Sequence, residues 1–128
     1  MNHIHISSID HLVLVVQDIA KTCEFYQRVL GLKAVEEPIN RWSLKFGHHK
    51  ISLQQEGNVP SIAQQTLRGT ANFCLLTQTP MESIIQQLKE SQVQILEGPV
   101  QKQGAVGPIL SVYFYDLDGN LLEVANSL

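Results

Sequence analysis

The sequence contains little of what marks membrane, secreted or nucleic-acid-binding proteins. Its two cysteines, Cys23 and Cys74, are too few for a disulfide framework and favour a reducing compartment. No apolar run approaches the roughly 18 residues that a membrane-spanning helix requires. Residues 1–8 also lack the charged flank and apolar segment of a secretion signal. We therefore expect a cytoplasmic protein with no membrane partner.

Basic residues are scarce as well. Nine Lys and Arg against twelve Asp and Glu give a net charge of −3 over 128 residues, and only Arg68, Lys89 and Lys102 lie beyond residue 62. Nucleic-acid binding requires a basic patch, so we expect no nucleic-acid partner. The content of 44% hydrophobic and 16% charged residues is typical of one globular domain with its own core.

The first half of the chain has the pattern of a strand, a helix and three strands. Residues 9–16 are rich in Val and Leu and predict a buried strand. Asp18 and Gly31 are typical of a helix start and end, and apolar residues recur between them at helical spacing. Short strands with turns between them are predicted at residues 32–37, 41–46 and 50–55.

The same order of elements returns after a predicted linker at residues 56–69. Residues 70–77 predict a strand, and Thr79 opens a predicted capping box before a second helix. Three further strands are predicted at residues 94–97, 110–115 and 121–125, with a long loop after the first of them. The chain therefore predicts a single α+β domain of two β-α-β-β-β modules, at residues 9–55 and 70–126.

Aligning the two modules marks four equivalent positions. The predicted helix caps lie 61 residues apart, and the same shift relates His11 to Asn72. Aligning the apolar residues of the two last strands places Ser52 opposite Glu123, at an offset of 71. Because neighbouring strand residues point to opposite faces, these four side chains share the face turned away from the apolar positions. That face either lines a cavity or meets solvent.

Alternation extends this face to further side chains. Gln54 shares the face of Ser52, and Cys74 shares the face of Asn72. An apolar cavity with a few convergent polar groups is typical of a small-molecule site. His and carboxylate side chains are good ligands for Zn, Mn, Fe or Ni, which makes His11 and Glu123 candidate metal ligands. The amide oxygens of Gln54 and Asn72 are weaker candidates, since amides suit harder ions.

Three motifs resemble the vicinal oxygen chelate superfamily, which comprises glyoxalase I, bleomycin- and fosfomycin-resistance proteins and extradiol dioxygenases. They are I-D-H-L-V-L near the start, F-Y-Q-R-V-L-G-L at the end of the first helix, and V-Y-F-Y-D-L-D-G-N-L-L-E-V near the C-terminus. The last is similar to the family pattern Y-F-x-D-P-D-G-N-x-x-E, with Leu117 where proline is usual. The chain most resembles small glyoxalase-domain proteins of unassigned activity.

The resemblance implies a fold and a set of site residues. The fold is a U-shaped cleft of mixed sheets, the glyoxalase/bleomycin resistance/dioxygenase fold, often completed across a homodimer. The family's metal-binding His and Glu fall on His11 and Glu123, which would then meet between two chains, with Glu123 also catalytic. Glyoxalase I has further ligands at the positions of Ser52 and Asn72. Serine and asparagine are poor ligands for a transition metal, so we expect no glyoxalase I activity.

Two classes of function follow from this resemblance. The first is a divalent-metal-dependent enzyme of lyase, isomerase, transferase or dioxygenase type, in which Zn, Ni, Mn or Fe polarises two neighbouring oxygens of a small substrate. The second is a metal-free protein that sequesters a small, partly apolar molecule, as bleomycin-resistance proteins do. In both classes the candidate residues for binding the small molecule are Ser52, Cys74, Ser111 and Tyr113.

Overall fold

The computed structural model describes residues 3–38, 41–57, 63 and 66–128. Two helices and eight strands follow one another in the described residues. The first module contains β1 His11–Val16, α1 Ile19–Leu30, β2 Lys33–Glu37, β3 Arg41–Phe46 and β4 His49–Gln55. The second contains β5 Asn72–Leu76, α2 Met81–Glu90, β6 Glu97–Gln103, β7 Pro108–Tyr115 and β8 Leu121–Ser127. The predicted α+β class and its two modules are confirmed.

Each module forms one four-stranded mixed sheet. The strand orders are β1-β4-β3-β2 and β5-β8-β7-β6, with a parallel pair at β1·β4 and at β5·β8. The register reproduces both predicted offsets. His11 pairs with Lys50 in the first sheet, and Asn72 pairs with Leu121 in the second, which are shifts of 61 and 71 residues.

Helix α1 begins and ends as its sequence predicts. The Oδ1 atom of Asp18 accepts a hydrogen bond of 3.0 Å from the backbone N–H of Lys21 and so caps the first turn. Gly31 closes the helix with φ of 68°, a left-handed conformation that favours glycine. Its N–H donates to the carbonyl of Gln27 at 3.1 Å, and the next N–H donates to the carbonyl of Tyr26 at 3.2 Å.

Two local predictions for the second module are wrong. Thr79 does not cap α2: the extended backbone of Pro80 lets the helix begin only at Met81, and no side chain caps it. The strand predicted at 94–97 lies instead at Glu97–Gln103, within the segment predicted as a loop. This strand is an exposed sheet edge with polar residues, glycine and proline, so it carries no apolar signal.

One hydrophobic core joins the two modules. Each helix contributes a buried stripe, α1 with Cys23, Phe25, Tyr26 and Val29 and α2 with Met81, Ile84 and Leu88. The strands contribute Leu14, Val16, Leu44, Ile51, Leu53, Val112, Phe114, Leu122 and Val124. Because strand residues alternate, the intervening side chains of every strand lie on the opposite sheet face, away from this core.

The turn between β7 and β8 fastens the modules to each other. Asp116 is buried, and its Oδ2 atom accepts hydrogen bonds from the hydroxyl of Tyr26 at 2.6 Å and from Nδ2 of Asn120 at 2.9 Å. Its Oδ1 atom accepts from the backbone N–H groups of Asp118 and Asn120, both at 2.9 Å. The D-L-D-G-N motif therefore fixes where β8 begins and links that strand to α1.

In the part of the chain that the structure describes, no helix has the length and apolar character needed to cross a membrane.

Much of the predicted linker at 56–69 lies outside the described residues, so the exact module boundaries stay a prediction.

Candidate functional site

The outer face of the second sheet carries a cluster of polar side chains. We call it the module-two face, and it consists of Cys74, Ser111, Tyr113 and Glu123. Cys74 on β5 and Tyr113 on β7 are the direct pairing partners of Glu123 on β8, so the three side chains lie side by side. Ser111 lies two residues before Tyr113 on the same face of β7. The structure thus brings these four predicted residues together.

Glu123 is half-buried and held in place. The hydroxyl of Ser111, which is completely buried, donates a hydrogen bond of 2.5 Å to its Oε2 atom. The Tyr113 side chain lies next to the same carboxyl group, because the two residues are pairing partners. A carboxylate has about four lone-pair positions, so the bond from Ser111 leaves others available to a ligand. Glu123 is therefore an oriented acceptor rather than a freely solvated strand residue.

The same environment keeps two neighbouring groups protonated. Burial, and then the charge of Glu123, raises the pKa of the Cys74 thiol to about 11. Burial raises the pKa of the Tyr113 phenol to about 12, with the hydrogen bond and the charge of Glu123 adding to it. At neutral pH the module-two face therefore presents a thiol and a phenol beside one carboxyl group.

This cluster opens into a cleft of about 870 Å³. Its lining combines Cys74, Tyr113 and Glu123 with the apolar side chains Leu76, Val106, Ile109 and Leu128. The tight turn at residues 104–107, between β6 and β7, forms part of one wall. A mostly apolar cleft with a few polar groups at one place is the usual character of a small-molecule site.

The basic residue of this cleft was missed by the sequence analysis. Lys102 on β6 lies with Nζ at 5.8 Å from the ring centroid of Tyr113 and at 3.7 Å from Oε1 of Glu97. It therefore supplies a positive charge at the cleft. The reason for the omission is the misplaced strand: a pairing of β6 with β7 was needed to bring residue 102 to this face.

The remaining predicted residues lie elsewhere. His11, Ser52 and Gln54 occupy the outer face of the first sheet, where β1 pairs with β4. Gln54 lines a separate, smaller cleft of about 230 Å³. Asn72 shares the face of Cys74 but pairs with Leu121, and it is not among the residues that line the larger cleft.

One ring nitrogen of His11, Nδ1, lies within hydrogen-bonding distance of Asp10. Its side chain is 42% exposed, and its Nδ1 atom lies 2.8 Å from Oδ2 of Asp10. A carboxylate accepts only, so Nδ1 carries the proton and Nε2 is left for another partner. Metal-binding histidines commonly have such a carboxylate partner on the other ring nitrogen. The pKa of Asp10 is lowered chiefly by this hydrogen bond.

Metal-ligating side chains do not form a three-residue cluster in the part of the chain that the structure describes. Across the described ranges, no three His, Cys, Asp or Glu side chains come together closely enough to hold a metal ion. The cleft at Glu123 is lined by residues of the second module alone, while His11 belongs to the first sheet. The donor types fit a transition metal. His11 and Glu123 therefore do not line the same cleft in the part of the chain that the structure describes.

Comparisons with known proteins agree with the fold and with the motifs. The family model of the Glyoxalase/Bleomycin resistance protein/Dioxygenase superfamily matches residues 8–124. The virulence protein STM3117 of Salmonella typhimurium is 44% identical over 121 residues, which cover 94% of this chain and 84% of that protein. The metallothiol transferase FosB of Staphylococcus haemolyticus is 31% identical over 119 residues, covering 93% of this chain and 83% of that protein.

A solved structure shows the same fold throughout. The integron cassette protein from the mobile metagenome of V. cholerae superimposes with a TM-score of 0.96 at 44% identity. The superposition covers 99% of this chain and 100% of that protein.

Proposed function

Because this chain belongs to the Glyoxalase/Bleomycin resistance protein/Dioxygenase superfamily, we propose that it is a divalent-metal-dependent enzyme acting on a small, oxygen-chelating molecule. Its site would be formed by two copies of the chain. One copy contributes His11 from its first sheet, and the other contributes Glu123 and the cleft of its second module. Such a reciprocal arrangement is typical of a two-fold symmetric dimer.

One observation carries this proposal: the orientation of Glu123. A carboxyl group in a mostly apolar cleft, held by the buried hydroxyl of Ser111 at 2.5 Å, keeps a fixed direction. Outer hydrogen bonds of this kind orient metal-binding carboxylates in general. Its family position after D-G-N points to the same role.

The chain's own residues would bind and orient the substrate. The apolar side chains Leu76 and Ile109 would contact apolar parts of the substrate, and the protonated Tyr113 can donate a hydrogen bond to a substrate oxygen. A metal held at this place would supply Lewis-acid polarisation of two neighbouring substrate oxygens. Glu123 would act as ligand, and Ser111 would keep its carboxylate in position.

The similarity to FosB and the missing glyoxalase I ligands bear on the type of reaction. FosB is a metallothiol transferase, and its similarity to this chain supports metal dependence and a reaction of transferase type. Ser52 and Asn72 stand where glyoxalase I needs further ligands, so the proposal includes no glyoxalase I activity. An assay with methylglyoxal and glutathione should show no turnover, and robust turnover would contradict this assignment.

Metal analysis of the purified protein tests the proposal. The wild-type chain, incubated with Zn, Ni, Mn or Fe(II) and then desalted, should retain one of them in stoichiometric amount. His11→Ala and Glu123→Ala should both lose it. Glu82→Ala serves as a control, because Glu82 is an exposed carboxylate of α2 that does not line the cleft. Wild-type protein that retains none of the four metals would overturn the proposal.

Metal-free binding of a small molecule is the second candidate function, because the described residues of one chain do not provide three metal ligands together. With fewer than three ligands gathered within the described part of one chain, the apolar cleft could serve a protein that binds a small molecule without metal. In that case the Glu123→Ala variant would still bind the molecule, and no metal would be needed. The metal analysis above distinguishes the two functions directly.

A further inference from the structure

We propose that Cys74 is a thiolate ligand of the metal, beside Glu123 on the same chain and in place of a ligand at Asn72. The inference rests on the proposed metal-dependent function and deepens it. It gives the site a donor set of cysteine, glutamate and a histidine from the second copy.

The register of the second sheet places the thiol and the carboxyl group together. Cys74 on β5 and Glu123 on β8 are direct partners in a parallel pair. Neighbouring strands lie about 4.8 Å apart, and paired residues point to the same face. Both side chains line the same cleft. Cys74 and Glu123 would therefore both be available to hold one metal ion at this cleft.

Asn72, at the position where glyoxalase I has a ligand, is a weaker candidate ligand than Cys74. It pairs with Leu121, two residues before Glu123, and therefore lies diagonal to the carboxyl group rather than beside it. It does not line the cleft, whereas Cys74 does. Its amide oxygen is also a poorer donor for a transition metal than a thiolate is.

The neighbouring Ser111 side chain and the ligand preference of zinc also favour Cys74 as a ligand. Ser111 is buried and donates to Oε2 of Glu123, so it does not occupy the cleft beside the thiol. Cysteine, carboxylate and imidazole are the ligands that zinc takes, and three protein ligands leave a fourth position open for water or substrate. On binding, the thiol releases its proton to solvent, and sulfur donates its electron pair to the metal.

The two cysteines of the chain provide a matched pair for the test. Cys23 lies in α1, is 8% exposed and belongs to the core, while Cys74 is exposed to the cleft. The experiment loads the wild type, Cys74→Ser and Cys23→Ser with Co(II) and records absorption spectra. Wild type and Cys23→Ser should show the near-ultraviolet thiolate-to-cobalt charge-transfer band, and Cys74→Ser should lack it.

Affinity gives a second measurement. Loss of an outer partner of a metal ligand lowers affinity by about 10- to 100-fold, so the loss of Cys74 itself should lower Co(II) affinity by at least about that much. Circular dichroism of the metal-free variants checks that they remain folded. Zn(II) should also protect Cys74 of the wild type from alkylation by iodoacetamide, as followed by peptide mass spectrometry.

The outcomes separate this inference from the proposed function. Stoichiometric Co(II) binding without the charge-transfer band, or Cys74 alkylated equally fast with and without Zn(II), would overturn the role of Cys74 and leave the metal site at Glu123 standing. Absence of any Co(II) or Zn(II) binding by the wild type would overturn both. A band that persists in Cys74→Ser would also refute the assignment.

Discussion

Ser111→Ala should weaken metal binding although Ser111 touches no metal in the proposed site. The substitution removes a hydroxyl that donates to Oε2 of Glu123 at 2.5 Å, a bond to a charged acceptor, and it changes nothing else on the cleft surface because Ser111 is completely buried. Loss of such an outer partner lowers metal affinity by about 10- to 100-fold, which is roughly 1.4–2.7 kcal/mol.

Isothermal titration calorimetry with Zn(II) measures this loss. Ser43→Ala is the matched control, since Ser43 is also a buried strand serine and donates to Oε1 of Glu37 at 2.7 Å, on the other sheet. Its Zn(II) affinity should equal that of the wild type. If Ser111→Ala binds Zn(II) as tightly as Ser43→Ala does, the hydroxyl does not hold a metal ligand, and the reasoning from Glu123 orientation fails.

Three further predictions concern the fold and its charges. Tyr26→Phe removes the buried hydrogen bond to Asp116 and should lower the free energy of unfolding by about 1.5–3 kcal/mol, measured by urea denaturation. Gly69→Ala should destabilise the protein in the same assay, because φ is +76° and a Cβ would lie 2.6 Å from a backbone oxygen; a neutral result would contradict the packing there. The pKa of Glu37 is lowered first by the hydrogen bond from Ser43, so it should rise in Ser43→Ala. A carboxyl group with a lowered pKa stabilises the fold at pH values above its ordinary pKa, and this stabilisation is lost as the pH falls through the lowered pKa. Acid unfolding should therefore begin at a higher pH in Ser43→Ala than in the wild type. NMR carboxyl titration measures the pKa of Glu37, and circular dichroism measures acid unfolding.

The sequence predicts the repeat because both modules use the same local chemistry. Val and Leu runs form the parallel strands, and a helix with an apolar stripe follows each of them. Two residue offsets, 61 and 71, are enough to place His11 against Asn72 and Ser52 against Glu123, and the observed strand register has the same shifts. Patterns that repeat within one strand or helix can be recognised without knowing the tertiary structure.

Features that depend on distant partners could not be predicted in this way. Strand β6 is polar and exposed, and its backbone is held in the sheet by antiparallel pairing with β7. The D-L-D-G-N motif indicated the family. The hydrogen bond that the buried Asp116 accepts from Tyr26, 90 residues earlier, could not be predicted from it.

Complementation between two inactive variants tests the central claim, that the metal site is shared by two copies of the chain. His11→Ala and Glu123→Ala should each bind no metal alone. After the two proteins are mixed, unfolded and refolded together, mixed dimers should contain one intact site, which restores about a quarter of the wild-type Zn(II) content. A mixture that binds no more Zn(II) than the separate variants would contradict a site built from His11 of one copy and Glu123 of the other.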